Sequence, residues 1–217
     1  MEMSEKQKES ALKIASSLLK IEAIQLNVEQ PFSWASGWKS PIYCDNRLSL
    51  SFPEIRTYIK ESLAQSVKEK FADAEAIAGV ATAGIPQGAL LAEALGLPFL
   101  YVRSKPKGHG MTNLIEGKAV VGQKVVVIED LVSTGGSSIK AAKDLQAAGI
   151  EVLGMLAIFT YGFPIADENF KEAGIVLHTL SNYSIMLEEA VRSGYITEAD
   201  VETLQEWRKS PSTWKQH

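Results

Sequence analysis

The chain has 217 residues, 46% of them hydrophobic and 22% charged, which is enough apolar material for one full sheet-and-helix core. Its 22 Lys and Arg stand against 26 Asp and Glu, a net charge of −4, so no global basic field is available to hold nucleic acid or an anionic membrane. The single cysteine, Cys44, excludes an intramolecular disulfide and a multi-cysteine metal cage and fits a reducing cytoplasm.

The opening MEMSEKQKES carries mixed charge and no apolar block of signal-peptide length. The longest uncharged run, 76–92, is broken by Gly79, Gly84, Pro86 and Gly88, so a cytoplasmic protein without a membrane span is expected. Ser4 with Gln7 reads as a capping box, and Ala11, Ile14, Ala15, Leu18 and Ile21 recur at helical spacing, which predicts an N-terminal helix with one apolar stripe. A loop rich in Ser, Gly, Pro and Asn follows over 30–50, and Ser51 and Pro53 then announce a second helix to about Lys70. From there apolar runs at 76–80, 98–102, 125–128, 152–159 and 175–179 alternate with helical patterns at 86–95, 137–148 and 165–173. That rhythm predicts an α/β fold with a mainly parallel central sheet flanked by helices. Two more helices are expected at 182–192 and 197–208, with Gly194 as the break, and the closing SPSTWKQH is expected to fray. His178 reads as a satisfied core residue, Cys44 as an inert half-buried thiol, and Trp207 and Trp214 as packing of the tail.

The chemistry concentrates in VVVIEDLVSTGGSS, Val125 to Ser138. Four apolar residues without polar alternation read as a parallel strand buried on both faces, and ligands of such sheets gather beyond the strands' carboxyl ends. Glu129 and Asp130 stand at that end, where carboxylates accept hydrogen bonds from sugar hydroxyls or bind a cation. Leu131, Val132, Ser133, Thr134, Gly135, Gly136 and Ser137 then offer hydroxyls and approachable amides just before a helix, a setting that favours a phosphate. The spacing fits a ribose 5-phosphate. Neither the lysine of a Walker loop nor the G-x-G-x-x-G of a dinucleotide fold is present, and an ordinary polar turn after a strand is the plain alternative. Because neighbouring residues of a strand point to opposite faces, the two acids share a ligand only if the strand has begun to turn.

A second glycine-bearing turn, GVATAGIP, brings Thr82, Ala83 and Gly84 to the same sheet edge, either as another anion loop or as a plain strand-to-helix turn. Next comes RSKPKGHG, in which Arg103, Lys105, Lys107 and His109 occur with no acid among them. Gly108, Gly110 and Gly117 permit a flap that closes over a site from which water is excluded; a solvated charge run is the alternative.

The acid pair and its loop resemble the phosphoribosyl pyrophosphate signature of the type I phosphoribosyltransferases. Arg103 with the Lys-x-His-Gly at 107–110 resembles the catalytic loop of the orotate phosphoribosyltransferases, and FSWASGWKSPIYCDNRL at 32–48 is similar to their orotate-binding hood. The resemblance spans roughly residues 32–188. It implies a single phosphoribosyltransferase domain over 1–217, with a small hood to about residue 50, a core over about 51–181 and C-terminal helices beyond. The implied reaction is transfer of phosphoribosyl from phosphoribosyl pyrophosphate to orotate, giving orotidine 5-monophosphate and pyrophosphate in pyrimidine biosynthesis.

The resemblance further implies that Glu129 and Asp130 hold the ribose hydroxyls, that 131–137 receive the 5-phosphate, and that Thr82, Ala83 and Gly84 meet the pyrophosphate. Arg103, Lys107 and His109 are the implied catalytic residues, on a 103–117 loop that reaches the neighbouring subunit of a homodimer. Mg²⁺ is the implied cofactor, with no protein metal ligand assigned. For orotate, Tyr43 can stack, Ser133 and the backbone near Tyr43 and Cys44 can read the ring edge, and Lys39 or Arg47 can meet the carboxylate. Arg47 is preferred, with a surface ion pair as its alternative. Ala35, Ala83, Ser104 and Tyr161 depart from the family pattern, each standing where many relatives carry a cation, and Lys105 is expected to supply part of the missing charge. A purine salvage phosphoribosyltransferase would keep the Glu129–Ser137 loop without needing Lys39 and Arg47. A non-enzymatic sensor of phosphoribosyl pyrophosphate that binds nucleic acid would want a basic surface.

Overall fold

The computed structural model describes residues 3–34, 37–105 and 114–215. Helix α1 (Glu5–Lys20) starts at the capping box: the Ser4 hydroxyl accepts from the Gln7 N–H, and the Gln7 side chain accepts from the Ser4 N–H. Its buried stripe contains Ala11, Ile14, Ala15 and Leu18, as the spacing predicts. Strand β1 (Ile24–Leu26) follows, and the 30–50 stretch that reads as a loop holds the short strands β2 (Phe32–Ser33), β3 (Lys39–Ser40) and β4 (Ile42–Cys44), paired antiparallel as β1 with β4 and β2 with β3. Strands of two or three residues are too short to register as periodicity. A 3₁₀ turn over Asn46–Ser51 leads into α2 (Pro53–Lys70), which has proline in its first turn.

The remaining elements are β5 (Ala76–Val80), α3 (Gly84–Leu95), β6 (Phe99–Val102), β7 (Ile115–Glu116), β8 (Lys124–Val132), α4 (Gly136–Ala147), β9 (Glu151–Thr160), α5 (Pro164–Ala173), β10 (Leu177–Asn182), α6 (Tyr183–Arg192) and α7 (Glu198–Lys209). One six-stranded sheet runs β10-β9-β8-β5-β6-β7, parallel except for β7, so the expected mainly parallel α/β architecture is borne out. Both sheet faces are covered. Ile77, Val126, Ile128, Leu156 and Ile158 share a core with α1, α2, α3, α6 and α7, while Ala78, Val125, Val127, Met155 and Ala157 share the other with α4 and α5. Among the described residues no helix is long and apolar enough to cross a membrane.

Three expectations change. The last strand runs 177–182 rather than 175–179, because Asn182 ends it and caps α6 through its side chain to the Ile185 N–H. His178 is half-buried beside the Phe71 ring, 5.8 Å away, rather than enclosed in the core. Residues 210–215 form a turn with Trp214 packed on the core beside fully buried Trp207, so apolar contact overrides the fraying expected of a polar tail.

From β5 the sheet proceeds to β6 on one side, and from β8 to β9 on the other, so the strand order reverses between the adjacent β5 and β8. A crevice at the carboxyl ends of such a pair is where open α/β sheets bind ligands. Helix α3 enters it very closely: a Cβ on Gly84 would overlap the Ile128 carbonyl oxygen, and one on Gly79 would lie 2.8 Å from the Gly84 carbonyl. Backbone on backbone leaves nothing flexible to yield. We predict that Gly84→Ala costs about 1–3 kcal/mol of stability, read as a lower urea midpoint, with an unchanged midpoint contradicting the packing.

Candidate active site

The core strand does not end at Ile128 but continues through both acids to Val132, still paired with β9. Val127 and Val132 lie in one core while Ile128 and Leu131 pack on the other, a spacing that strict alternation cannot give. The side chains therefore change faces at Glu129–Asp130 while the register with β9 is kept, and this local turn lets two consecutive acids meet. Their carboxyl groups interact through charge and a side-chain hydrogen bond. Glu129 is buried and also accepts from the Ser138 hydroxyl at 2.9 Å and from the Asp130 N–H at 3.1 Å.

Burial, and then the negative charge of Asp130, push the Glu129 carboxyl from 4.5 up to about 8, and burial raises Asp130 as well. An acid whose folded value is raised keeps its full contribution to stability below its unfolded pKa and loses it as pH climbs through the folded value. The ligand-free protein is thus expected to lose stability between pH 4.5 and about 8 on account of this group. Glu129→Gln should match the parent near pH 5 and melt several degrees higher above pH 8, about 2–4 °C for each kcal/mol. Parallel melting curves for the two proteins across that range would remove the raised pKa.

The loop beyond β8 is held by its surroundings. Asn169 of α5 donates to the Thr134 carbonyl at 2.9 Å, and the Thr160 hydroxyl and the Tyr161 N–H both reach the Val132 carbonyl. Gly135 caps α4 at φ +82°, with the Phe170 ring against the space a side chain would fill. Gly136 is different: a Cβ there would meet nothing within 4 Å, and Ser133, Thr134 and Ser137 are open or half-open around it. Packing demands the first glycine, whereas the second keeps the backbone of a helix start accessible to an anion.

Across the crevice, 81–83 turn from β5 into α3, with a cis peptide at Ala81–Thr82 and Thr82 exposed. Gly84 is buried and lets α3 pack closely, so a ligand here meets Thr82 and Ala83 before the Gly84 backbone. Next to this turn, β6 and β7 form the root of the cationic segment: Tyr101 pairs with Glu116, Val102 with Ile115, and the Arg103 N–H donates to the Leu114 carbonyl at 2.8 Å. Arg103 lies 3.5 Å from Glu116. Lys107 and His109 are outside the described residues.

The hood closes the crevice from the Asp130 side. Tyr43 is exposed, with its ring 5.8 Å from Phe32, and Lys39 donates to the Ser33 hydroxyl at 2.9 Å. Arg47 is held by both oxygens of Asp45, at 2.6 and 2.9 Å, so the ion-pair alternative describes it in the ligand-free chain. Burial raises the Cys44 thiol well above its ordinary value, with Asp130 and Asp45 adding to the effect, and the protonated thiol donates to Asn46. Tyr161 does not replace a cation in kind. Its ring is buried among Trp34, Phe159, Phe163, Tyr183 and Trp207, stacked 5.2 Å from Trp34, whose indole N–H reaches the Ile42 carbonyl. The C-terminal helix thus buttresses the hood strand through Trp207.

Residues 50–176 match the phosphoribosyl transferase domain. The chain belongs to the phosphoribosyltransferase family. It is 61% identical to a Cytophaga hutchinsonii protein named orotate phosphoribosyltransferase, over 93% of this chain and 97% of that one. The crystal structure of an orotate phosphoribosyltransferase from Aeropyrum pernix is similar at 31% identity and a TM-score of 0.74, over 84% of this chain and 99% of that one. The structure of Leishmania donovani UMP synthase is similar at 26% identity and a TM-score of 0.76, over 92% of this chain, which spans 43% of that longer protein. Both glycine-bearing loops of this phosphoribosyltransferase lie inside the domain match, and the hood residues 39–47 lie outside it. Four residues of the crevice escape sequence reading: Asn46, Ser138, Thr160 and Asn169. Two of them fall inside segments the sequence singles out, Ser138 as the last residue of VVVIEDLVSTGGSS and Asn46 within FSWASGWKSPIYCDNRL.

Proposed function

We propose that this phosphoribosyltransferase transfers the 5-phosphoribosyl group of phosphoribosyl pyrophosphate to orotate, releasing orotidine 5-monophosphate and pyrophosphate in pyrimidine biosynthesis. The observation that carries this reading is the pair of buried Glu129 and half-buried Asp130 opening onto the Ser133–Ser137 loop at the strand-order reversal, in a chain with so close a relative of that name. With Glu129 raised to about 8, the pair at neutral pH offers one carboxylic acid and one carboxylate, a donor and an acceptor suited to vicinal ribose hydroxyls. Leu131 to Ser137 receive the 5-phosphate, and Thr82, Ala83 and Gly84 line the pyrophosphate end. The orotate nitrogen forms a bond to the anomeric carbon as the bond to the pyrophosphate oxygen breaks, and that electron pair leaves with the diphosphate. Arg103, Lys107 and His109 meet the charge that accumulates there.

Orotate itself sits under the hood against Tyr43, with Ser133 and the backbone at Tyr43 and Cys44 reading its edge and Lys39 or Arg47 facing its carboxylate. For Arg47 this means exchanging or sharing the Asp45 carboxylate. Among the described residues no three His, Cys, Asp or Glu side chains converge as a metal cage. Mg²⁺ suits this arrangement because it prefers phosphate oxygens and water, with Asp130 the carboxylate beside the donor loop; when bound it would neutralise charge on the diphosphate. A cytoplasmic homodimer, with the 103–117 segment serving the neighbouring subunit, completes the reading.

The test is to incubate the protein with phosphoribosyl pyrophosphate and Mg²⁺ and offer orotate or purine bases separately. Donor-dependent loss of free orotate, with purines untouched, is expected. Consumption of a purine base in its place would assign the chain to salvage, and no turnover of any base would remove the enzymatic reading.

A further inference from the structure

Asn46 is fully buried, and its side chain spans the seam between hood and sheet. Its Nδ2 donates to the main-chain carbonyl of Asp130 at 2.7 Å, a contact between residues 84 positions apart. Its Oδ1 accepts from the Cys44 thiol at 3.4 Å. Chemistry fixes the orientation of the amide, since a carbonyl oxygen can only accept and a raised thiol can only donate here. The network extends further: the Ser49 hydroxyl donates to the Asn46 carbonyl at 2.6 Å, and Gln87 of α3 donates to the Ser49 hydroxyl at 3.2 Å. One asparagine thus ties β4, which carries Tyr43 and Cys44, to the residue of β8 assigned to the ribose, and its neighbours tie both to the helix that follows the 81–83 turn.

We infer that Asn46 is a positioning residue that sets the distance between the nucleobase segment and the ribose carboxylates. The inference rests on the proposed reaction, in which a nitrogen held by the hood must approach a carbon held by β8. Reaction in such a pair depends steeply on mutual placement, and a displacement of about 1 Å costs about 100-fold. Affinity for either substrate alone depends on one side of the seam only. Loss of Asn46 therefore slows turnover more than it weakens binding of either ligand.

The experiment compares Asn46→Ala and Asn46→Gln with the parent and with Ser181→Ala, which removes a buried hydroxyl bonded to the Ala11 carbonyl at 2.9 Å and serves as a stability control. Both Asn46 variants are expected to lose kcat by about 10- to 100-fold while the calorimetric Kd for phosphoribosyl pyrophosphate with Mg²⁺ stays within about threefold. Ser181→Ala should melt lower with kcat unchanged. A kcat at the parent level in folded Asn46 variants, or equal losses in kcat and donor affinity, would overturn the inference. Should neither variant fold, the side-chain amide resonance of Asn46 in the ¹⁵N-labelled parent decides: it is expected to shift on adding the donor with Mg²⁺ and again on adding orotate, and constancy under both overturns the coupling. Orotate turnover by the parent separates this test from the reaction itself, since its absence sinks the latter before any variant is made.

Discussion

Asp130→Asn is expected to raise the Michaelis constant for phosphoribosyl pyrophosphate about 10- to 100-fold and to leave that for orotate nearly unchanged. A hydrogen bond to a charged group is worth about 1.5–3 kcal/mol, and each 1.36 kcal/mol is tenfold, which sets that range. The substitution is clean for a structural reason. Asn46 bonds the main-chain carbonyl of Asp130, not its carboxylate, so the tie to the hood survives exchange of the side chain. The asparagine keeps the shape and one acceptor but removes the charge, and with it the partner whose repulsion helps hold Glu129 at about 8. Glu129, the donor in its protonated form, should therefore titrate at lower pH in the variant, which a shift of the alkaline limb of the pH–rate profile to lower pH would show. Steady-state kinetics with each substrate varied in turn provides the check. An unaltered donor constant would remove Asp130 from the ribose contact.

The sheet was legible because its interior strands are continuous apolar runs. Residues 76–80 were expected and found as β5, and the β-α alternation was sufficient to predict a parallel core. The sequence predicts an end to β8 four residues early because acids normally end such a run. Here they continue it, since each finds a partner in Ser138, in a backbone N–H or in the other carboxyl. The hood reads as loop in sequence because its strands are two or three residues long and gain their order from contacts distant in sequence. Asn46 is the extreme case: an asparagine in a polar stretch reads as a turn residue, and nothing local reports that its partner is Asp130. In sequence Tyr161 stands out only as the absence of a cation, whereas its ring is the centre of an aromatic cluster joining α7 to the hood. The phosphate loop was legible in composition, but the division between a glycine demanded by packing, Gly135, and one left open, Gly136, required the position of Phe170.

Lys107→Ala should reduce kcat by about 100- to 1,000-fold, an activation cost of about 2.7–4 kcal/mol, with the Michaelis constant for orotate and the melting temperature close to the parent. The expectation follows from where the segment is rooted. Its described ends are pinned by the β6–β7 pairing, and the Ala81 N–H at the base of the pyrophosphate turn donates to the carbonyl of Val102, the last residue of β6. On the proposed reading, a cation carried from that root meets the diphosphate and not the base. Negative charge on the leaving group grows as the glycosidic bond opens, so the ammonium gains more in the transition state than in the ground state and its loss falls on kcat. Comparable losses in kcat and orotate affinity would contradict this role. The subunit that supplies the lysine can be identified in the same experiment. Mixing Lys107→Ala with Asp130→Asn protein at donor concentrations below the parent's Michaelis constant should restore about a quarter of parental activity if the flap serves the neighbouring site, because half the dimers are then mixed and each holds one intact site. If the flap serves its own site, every site in a mixed dimer carries one lesion and mixing restores nothing.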